Sequence, residues 1–404
     1  MKMKLLKIQV QGLKQFKDEL TIDFYAKQRV NPDNSDGLSH QFSNIYTNNV
    51  LSLVGLNASG KTTTLKVISF ALGLIKGKAI NHMSSRDILM NMAEDDEVSF
   101  QIYFLNKNKN ITKLQTTIKA KAHKLRLQSD KSNDFYISEE HIFTKKQSII
   151  RSKNSVFDFA KIPAEKIQRI DYPGLLDDVS LIMINNKLSE DNIVFVDTLF
   201  STDFNYVYPF AVPKTLLQYL DPSIEYLSYS EEKDDGTYNK YSLKFYKEKE
   251  IICHDYEELR RYLSSGTVKG MNIFMLALYV IKTGGYLVID EIENHFNKEI
   301  ISTLIRFFMD SKMNALGATI IYSTHYIELL DMLDRNDSIL LLKNKDGITA
   351  ENYSDLITRN DLKKSDVFLS SYLKDTAPSY DSYMALKKDF QKEIETDGIN
   401  WYEK

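Results

Sequence analysis

A single cysteine in 404 residues, Cys253, leaves no partner for an intramolecular disulfide and suits a reducing compartment. Long apolar runs are lacking too. The longest, Met271 to Ile281, has 11 residues and contains Asn272, against the roughly 20 that cross a bilayer. The opening MKMKLLKIQVQG carries lysines but no uninterrupted apolar core before a small-residue cleavage site, so no signal peptide is expected. Neither an internal repeat nor a sustained heptad pattern occurs, which argues against a long coiled coil. Charge of one sign is not in surplus: the formal net charge is −3, so the molecule as a whole is no polycation. With 43% hydrophobic and 26% charged residues, the chain has the make-up of a globular protein of one elaborate domain or two to three smaller ones. A cytoplasmic location without a membrane partner is expected.

What is present is patterned. KLLKIQVQGLKQF and ELTIDFYA alternate as two strands around a turn at Gly12–Lys17, and Gln28 to Tyr46, rich in Asn, Asp, Ser and Gly, reads as a loop. EVSFQIYFL is a further alternating strand. From Lys107 to Arg169, 15 Lys/Arg face 6 Asp/Glu, so the remainder of the chain sums to −12. Inside that segment KAKAHKLRL reads as a basic strand whose lysines change face after His123, with FYISEEHIF as its neighbour. Helices are predicted around Pro173–Asn186 and Pro213–Tyr219, a hairpin over Tyr238–Tyr246 and Lys249–His254, and a helix in KEIISTLIRFFMDSK. ATIIYSTH and DSILLLK read as short buried strands, and the charged stretch from Glu351 onward as helical.

The motif that carries chemistry is GLNASGKT, Gly55 to Thr62, a full match to G-x-x-x-x-G-K-[ST] between an apolar strand (Val50–Val54) and an amphipathic helix. Gly55 and Gly60 let backbone N–H groups curl around a β-phosphate, and the helix start adds its positive dipole end. Lys61 reaches the β- and γ-phosphates and the Thr62 hydroxyl binds Mg²⁺. The expected nucleotide contacts are Gly55, Asn57, Ala58, Ser59, Gly60, Lys61, Thr62 and Thr63, with ATP and Mg²⁺ as cofactors.

GGYLVIDEIE is an apolar β-run that closes in two acids. Lying beside the phosphate-loop strand, it would place Asp290 to hold Mg²⁺ and Glu291 to act as base toward the attacking water. His325 ends another short apolar strand and is expected near the γ-phosphate. Upstream of the acids, LSSGTVKG opens into MNIFMLALYVI, a small polar turn ahead of a helix whose unpaired N–H groups favour an anion.

Taken in order, phosphate loop, SSGT, VIDE and STH, the chain resembles the ABC-type P-loop ATPases of the branch that holds RecF, SMC and OLD-like proteins. The likeness extends to stand-alone bacterial AAA-family ATPases of abortive-infection and anti-phage systems, of AbiL, RloA and PARIS type. It also rests on LLKIQVQGLKQFKDELTIDF, LDPSIEYL and ITRNDLKKSDVFLSSYL. The resemblance implies an α/β P-loop NTPase fold: an ABC-type ATPase head with a β-rich N-terminal lobe, an inserted basic segment and a helical C-terminal part. It divides the chain into 1–106 (lobe with the phosphate loop), 107–225 (insert), 226–350 (lobe with signature, acids and histidine) and 351–404 (helical extension). It further implies a homodimer closed on two ATP molecules, in which Ser264, Ser265 and Gly266 reach the γ-phosphate held by the other protomer. Assembly beyond the dimer stays open.

Departures from the family pattern matter as well. Asn297 stands where transporters and SMC proteins have Asp, and the glutamine of the Q-loop falls on neither Gln101 nor Gln168 convincingly. The 79 residues after His325 are too few for the Toprim domain of OLD nucleases. SSGT in place of LSGGQ points away from transporters. The resemblance implies ATP hydrolysis and a switch for a separately encoded effector, a nuclease or toxin, in anti-phage defence. A RecF-like DNA-repair ATPase is the alternative, and a transporter subunit ranks below both. Residues 107–169, with Lys119, Lys121, Lys124 and Arg126, read either as a nucleic-acid face or as solvated edge-strand lysines.

Overall fold

The computed structural model describes residues 2–31, 35–121, 134–189, 192–200, 212–232, 238–294, 296–370, 372–373 and 380–395. At its centre lies a six-stranded sheet. From edge to edge it runs β16 (Ile348–Asn352), β15 (Ile339–Asn344), β5 (Val50–Val54), β14 (Thr319–Thr324), β13 (Tyr286–Ile289) and β9 (Phe195–Asp197). All neighbours pair in parallel except β16, which returns antiparallel along β15. VLSLV, YLVI and TIIYST are buried at every residue. Such unbroken burial marks strands covered on both faces.

The two faces separate by residue parity. Leu51, Leu53, Val288 and Ile321 face α1 (Lys61–Lys76). Val50, Val54, Leu287 and Ile320 face α6 (Ser265–Thr283) and α7 (Lys298–Met309). Beyond α1 stands an antiparallel sheet ordered β2 (Leu20–Asp23), β1 (Lys4–Gln11), β6 (Glu97–Leu105), β7 (Ile111–Ala120) and β8 (Phe135–Lys145). Helix α1 is therefore enclosed between two sheets, and the Phe70 and Phe100 rings meet at 5.1 Å. This sheet passes residue 106 without a break, because β7 pairs with β6 along its whole length.

Lys4 joins the two sheets. Its Nζ, buried, donates to the carbonyls of Gly284 and Gly317 at 2.8 and 2.5 Å, just ahead of β13 and β14. A third, smaller sheet, β10 (Ile224–Glu232), β11 (Tyr238–Phe245) and β12 (Ile251–Cys253), packs against the first turns of α6 through Leu243, Leu263, Val268 and Met271. No described helix is long and apolar enough to cross a membrane.

Several local expectations are corrected. The stretch Gln28–Tyr46 is not all loop: β3 (Leu38–Phe42) and β4 (Ile45–Asn48) form a hairpin, because Phe42 and Ile45 are buried against Leu6 and Tyr103. Only Ile182–Ser189 (α3) of the predicted 173–186 helix is helical, since turns at 172–175 and 176–179 occupy the start. The C-terminal stretch begins as strand, not helix. β16 runs to Asn352, whose side chain caps α8 (Tyr353–Leu356), followed by α9 (Lys364–Leu369) and α10 (Tyr380–Glu395). β7 ends at Ala120, so most of KAKAHKLRL, with its change of face after His123, lies outside the described residues.

Candidate functional site

Leaving β5, the chain turns through Gly55–Gly60 into α1. Gly60 takes φ 97° at the helix start, and a Cβ there would lie 2.6 Å from the Ile348 side chain. Only glycine fits both the left-handed backbone and that approach. The loop is braced from the β15–β16 hairpin, where Asn344 Nδ2 donates to the Ala58 carbonyl at 2.9 Å. Lys61 Nζ donates to the carbonyls of Gly55 and Leu56, both at 2.9 Å. Asn57 is exposed at the loop tip, Thr63 is half-buried, and the Ser59 hydroxyl is enclosed without a partner among the described residues.

Thr62, the next residue on α1, donates from Oγ1 to Asp290 Oδ2 at 2.7 Å. Asp290 follows the last residue of β13, and β13 is not the direct neighbour of β5, as the sequence led us to expect. β14 runs between them. Its Ser323 bridges the gap: Oγ donates to Asp290 Oδ1 at 2.5 Å and accepts the Glu291 N–H at 2.7 Å. Glu291 sits at φ 47°, an unusual conformation for a non-glycine residue, and its carboxylate accepts Asn294 Nδ2 at 2.6 Å. The hydroxyl of Thr62 and the carboxylate of Asp290 form a pair of hard oxygen donors of the type that suits Mg²⁺.

His325 follows β14 and lines a cavity of about 410 Å³ with Gly55, Leu56, Asn57 and Phe368. Its backbone N–H donates to Glu293 Oε1 at 2.6 Å. Burial lowers the pKa of the Lys61 ammonium, while Asp290, Glu293 and Glu291 act in the opposite direction. Phosphate loop, both acids and histidine thus converge.

Ser264, Ser265 and Gly266 do not join them. Ser264 caps α6, its Oγ accepting the Thr267 N–H at 3.0 Å. Both serines are exposed, and among the described residues no hydrogen bond links this turn to the phosphate loop of its own chain. Asn297 caps α7 by accepting the Ile300 N–H at 3.0 Å, a local role that Asn and Asp fill about equally well. Gln101 lies within β6, in register with Gln9 and Gln115, and Gln168 precedes a turn; neither is among the residues that line the cavity at the phosphate loop.

Ser323, Glu293, Asn294 and Phe368 were not among the expected residues. The first three are polar residues two or three positions from Glu291 or His325, which is a usable signal. Phe368 offers none, because α9 reaches the cavity through tertiary packing, against residues 327–332 and with the Phe368 ring stacked on Tyr353. In the basic segment, Lys119 pairs with Glu97 at 2.5 Å and Lys121 with Asp177 at 2.9 Å. Lys153 donates to three successive carbonyls, Ala26, Lys27 and Gln28, and Arg169 to those of Leu176 and Val179. Lys124 and Arg126 lie outside the described residues. Many of these cations hold the fold together.

A family model described as "AAA domain, putative AbiEii toxin, Type IV TA system" matches residues 50–331. Comparison with curated protein sequences gave no match. Among solved structures, the ATP-bound recombination mediator RecF of the RecFOR pathway aligns with 87% of this chain and 98% of its own, at 13% identity and a TM-score of 0.38. The matched stretch takes in the phosphate loop, the Ser264 turn, both acids and His325, and covers well over half of the residues. The chain therefore belongs to this AAA-domain family of P-loop ATPases.

Proposed function

We propose that the protein hydrolyses ATP in a homodimer closed on two nucleotides, and that closing and opening make it a switch for a separately encoded effector. The observation that carries this reading is the convergence of Thr62, Asp290, Ser323 and Glu291 on the loop that holds Lys61. In it, Gly55 and residues 57–63 cradle the phosphates, and Lys61 turns from its loop carbonyls to the β- and γ-phosphates. Thr62 and Asp290 hold Mg²⁺, which offsets charge on those phosphates. Glu291 accepts a proton from water as the water oxygen bonds to the γ-phosphorus. The bond from that phosphorus to the bridging oxygen breaks, and ADP leaves with the electron pair. His325 touches the γ-phosphate side of the cavity.

Ser264, Ser265 and Gly266 complete the partner's site, because the start of α6 presents unpaired N–H groups to an anion. The exposure of both serines, away from the phosphate loop of their own chain, supports that arrangement. The family description names a toxin of a type IV toxin–antitoxin system, which supports work beside a partner protein, here read as anti-phage defence. The test is Glu291→Gln, which keeps nucleotide binding and stops turnover. With Mg-ATP it runs as a dimer on a sizing column. A variant that stays monomeric sinks the sandwich, and salt-sensitive, ATP-dependent binding of duplex DNA without a co-purifying protein favours repair instead.

A further inference from the structure

Helix α10 (Tyr380–Glu395) carries an apolar stripe that no described residue of its own chain covers. Tyr383, Leu386, Phe390 and Ile394 recur at i, i+3, i+7 and i+11, which sets them on one face of the helix. They are 56%, 56%, 63% and 79% exposed, and all other residues from 380 to 394 are exposed as well. Asp389 and Glu393 border the stripe on one side and Lys387 on the other. Helices of this length owe most of their stability to packing such a face.

The same chain holds a groove of matching character. α4 (Lys214–Leu220), α6, α7 and the turn after α7 enclose about 580 Å³, walled by Leu216, Tyr219, Phe274, Leu278, Phe307 and Met313. Tyr219, Leu278 and Met313 are exposed. Among the described residues of the lining, Lys282 alone is charged. An apolar stripe bordered by Asp389 and Glu393 suits that groove in shape and in charge. The four stripe side chains leave about 450 Å² in water. Two such helices in two grooves remove roughly 1,800 Å² counting both sides, the size of a specific, stable interface. Because α10 stands clear of its own groove, a second copy is the body that brings both halves of the match.

We propose that α10 of one copy lies apolar face down in the α4–α6–α7 groove of a second copy, and that the two exchange helices reciprocally. Each copy gives one helix and receives one, so the contact closes on a two-fold axis. The acidic border of the stripe lies toward Lys282. The contact forms without nucleotide and is independent of the ATP-closed dimer above.

Sedimentation of the full-length protein without nucleotide is expected to show a monomer–dimer equilibrium. Phe390→Asp on the helix and Leu278→Asp in the groove are each expected to weaken it at least about tenfold. Both residues are exposed, so both variants are expected to keep the melting temperature of the unsubstituted protein. Lys61→Ala, aimed at the nucleotide, leaves the equilibrium unchanged, which separates failure here from failure of the ATPase reading. Proximity supplies a second readout. Leu278→Cys and Phe390→Cys variants, mixed and treated with a short bismaleimide, are expected to give a two-chain product that neither gives alone, the native Cys253 being buried. A protein that stays monomeric at every concentration, its helix folded onto its own groove or kept for a different protein, overturns the proposal. So does a dimer that survives either aspartate variant, or a mixture that yields no two-chain product.

Discussion

Thr62 Oγ1 and Asp290 Oδ2, 228 residues apart in the chain, lie 2.7 Å apart in the fold. The first turn of α1 and the end of β13 are thereby locked together, and the lock depends on Ser323 of the strand between them. Ser323→Ala leaves Asp290 Oδ1 and the Glu291 N–H without that partner. A loss of about 1–3 kcal/mol in stability is expected. It is read as a lower urea midpoint at unchanged slope, together with reduced ATP turnover.

Nucleotide binding is expected to stabilise the fold by mass action. At 100 times its dissociation constant, Mg-ATP adds about 2.7 kcal/mol, visible as a rise in Tm. Lys61→Ala removes the shift. Asp290→Asn removes its dependence on Mg²⁺. Thermal melts of the three proteins with and without Mg-ATP decide the matter, and a shift that survives Lys61→Ala places the nucleotide elsewhere.

Sharing of the Ser264 turn between protomers is open to complementation. Lys61→Ala and Ser264→Arg each remove ATP turnover when tested separately. Mixed in equal amounts, they form heterodimers in which one composite site is intact and the other is doubly damaged. About a quarter of the unsubstituted activity is expected from the mixture, for random pairing of a two-fold dimer. No activity in a mixture shown to exchange subunits would mean that the turn serves its own chain.

Lys4 makes stability depend on alkaline pH. Burial holds its pKa at about 7 in the folded chain, against 10.5 ordinarily. Between those values the unfolded chain binds more protons than the folded one, so Lys4 makes stability rise with pH across that window and no further above it. The neutral amine keeps two N–H groups for the Gly284 and Gly317 carbonyls. Urea midpoints measured from pH 7 to 9 are expected to climb, and Lys4→Met to remove that part of the slope.

The phosphate loop and the acids were legible because their chemistry demands fixed residue types at short spacing. Gly55 to Thr62 and Asp290–Glu291 each occupy one unbroken stretch. The order of the sheet was not legible. Whether β14 or β13 lies next to β5 depends on pairings between residues more than 250 positions apart, such as Leu51 with Ile321, and no local pattern encodes them. Nor did the sequence disclose the turn that folds Glu293 inward, since it needs positive φ at Glu291, where residue type predicts none. The hairpin at Leu38–Asn48 was hidden by its polar surroundings, Phe42 and Ile45 being its buried apolar anchors beside the buried polar Gln41, Thr47 and Asn48. The lysines of the basic segment show the same limit: charge counts do not reveal that Lys119 and Lys121 face Glu97 and Asp177.

The position of β5 between β14 and β15 also governs how the protein can be made. A ribosome releases VLSLV, a strand with two bare edges and two apolar faces, some 265 to 290 residues before the strands that flank it. At about 5–20 residues per second that interval lasts roughly 15–60 s. During it Gly55–Thr62 has neither Asp290 nor Ser323 beside it. The nascent chain therefore has to be shielded from edge-to-edge association for most of its synthesis, and it acquires a complete nucleotide site only after β14 has emerged.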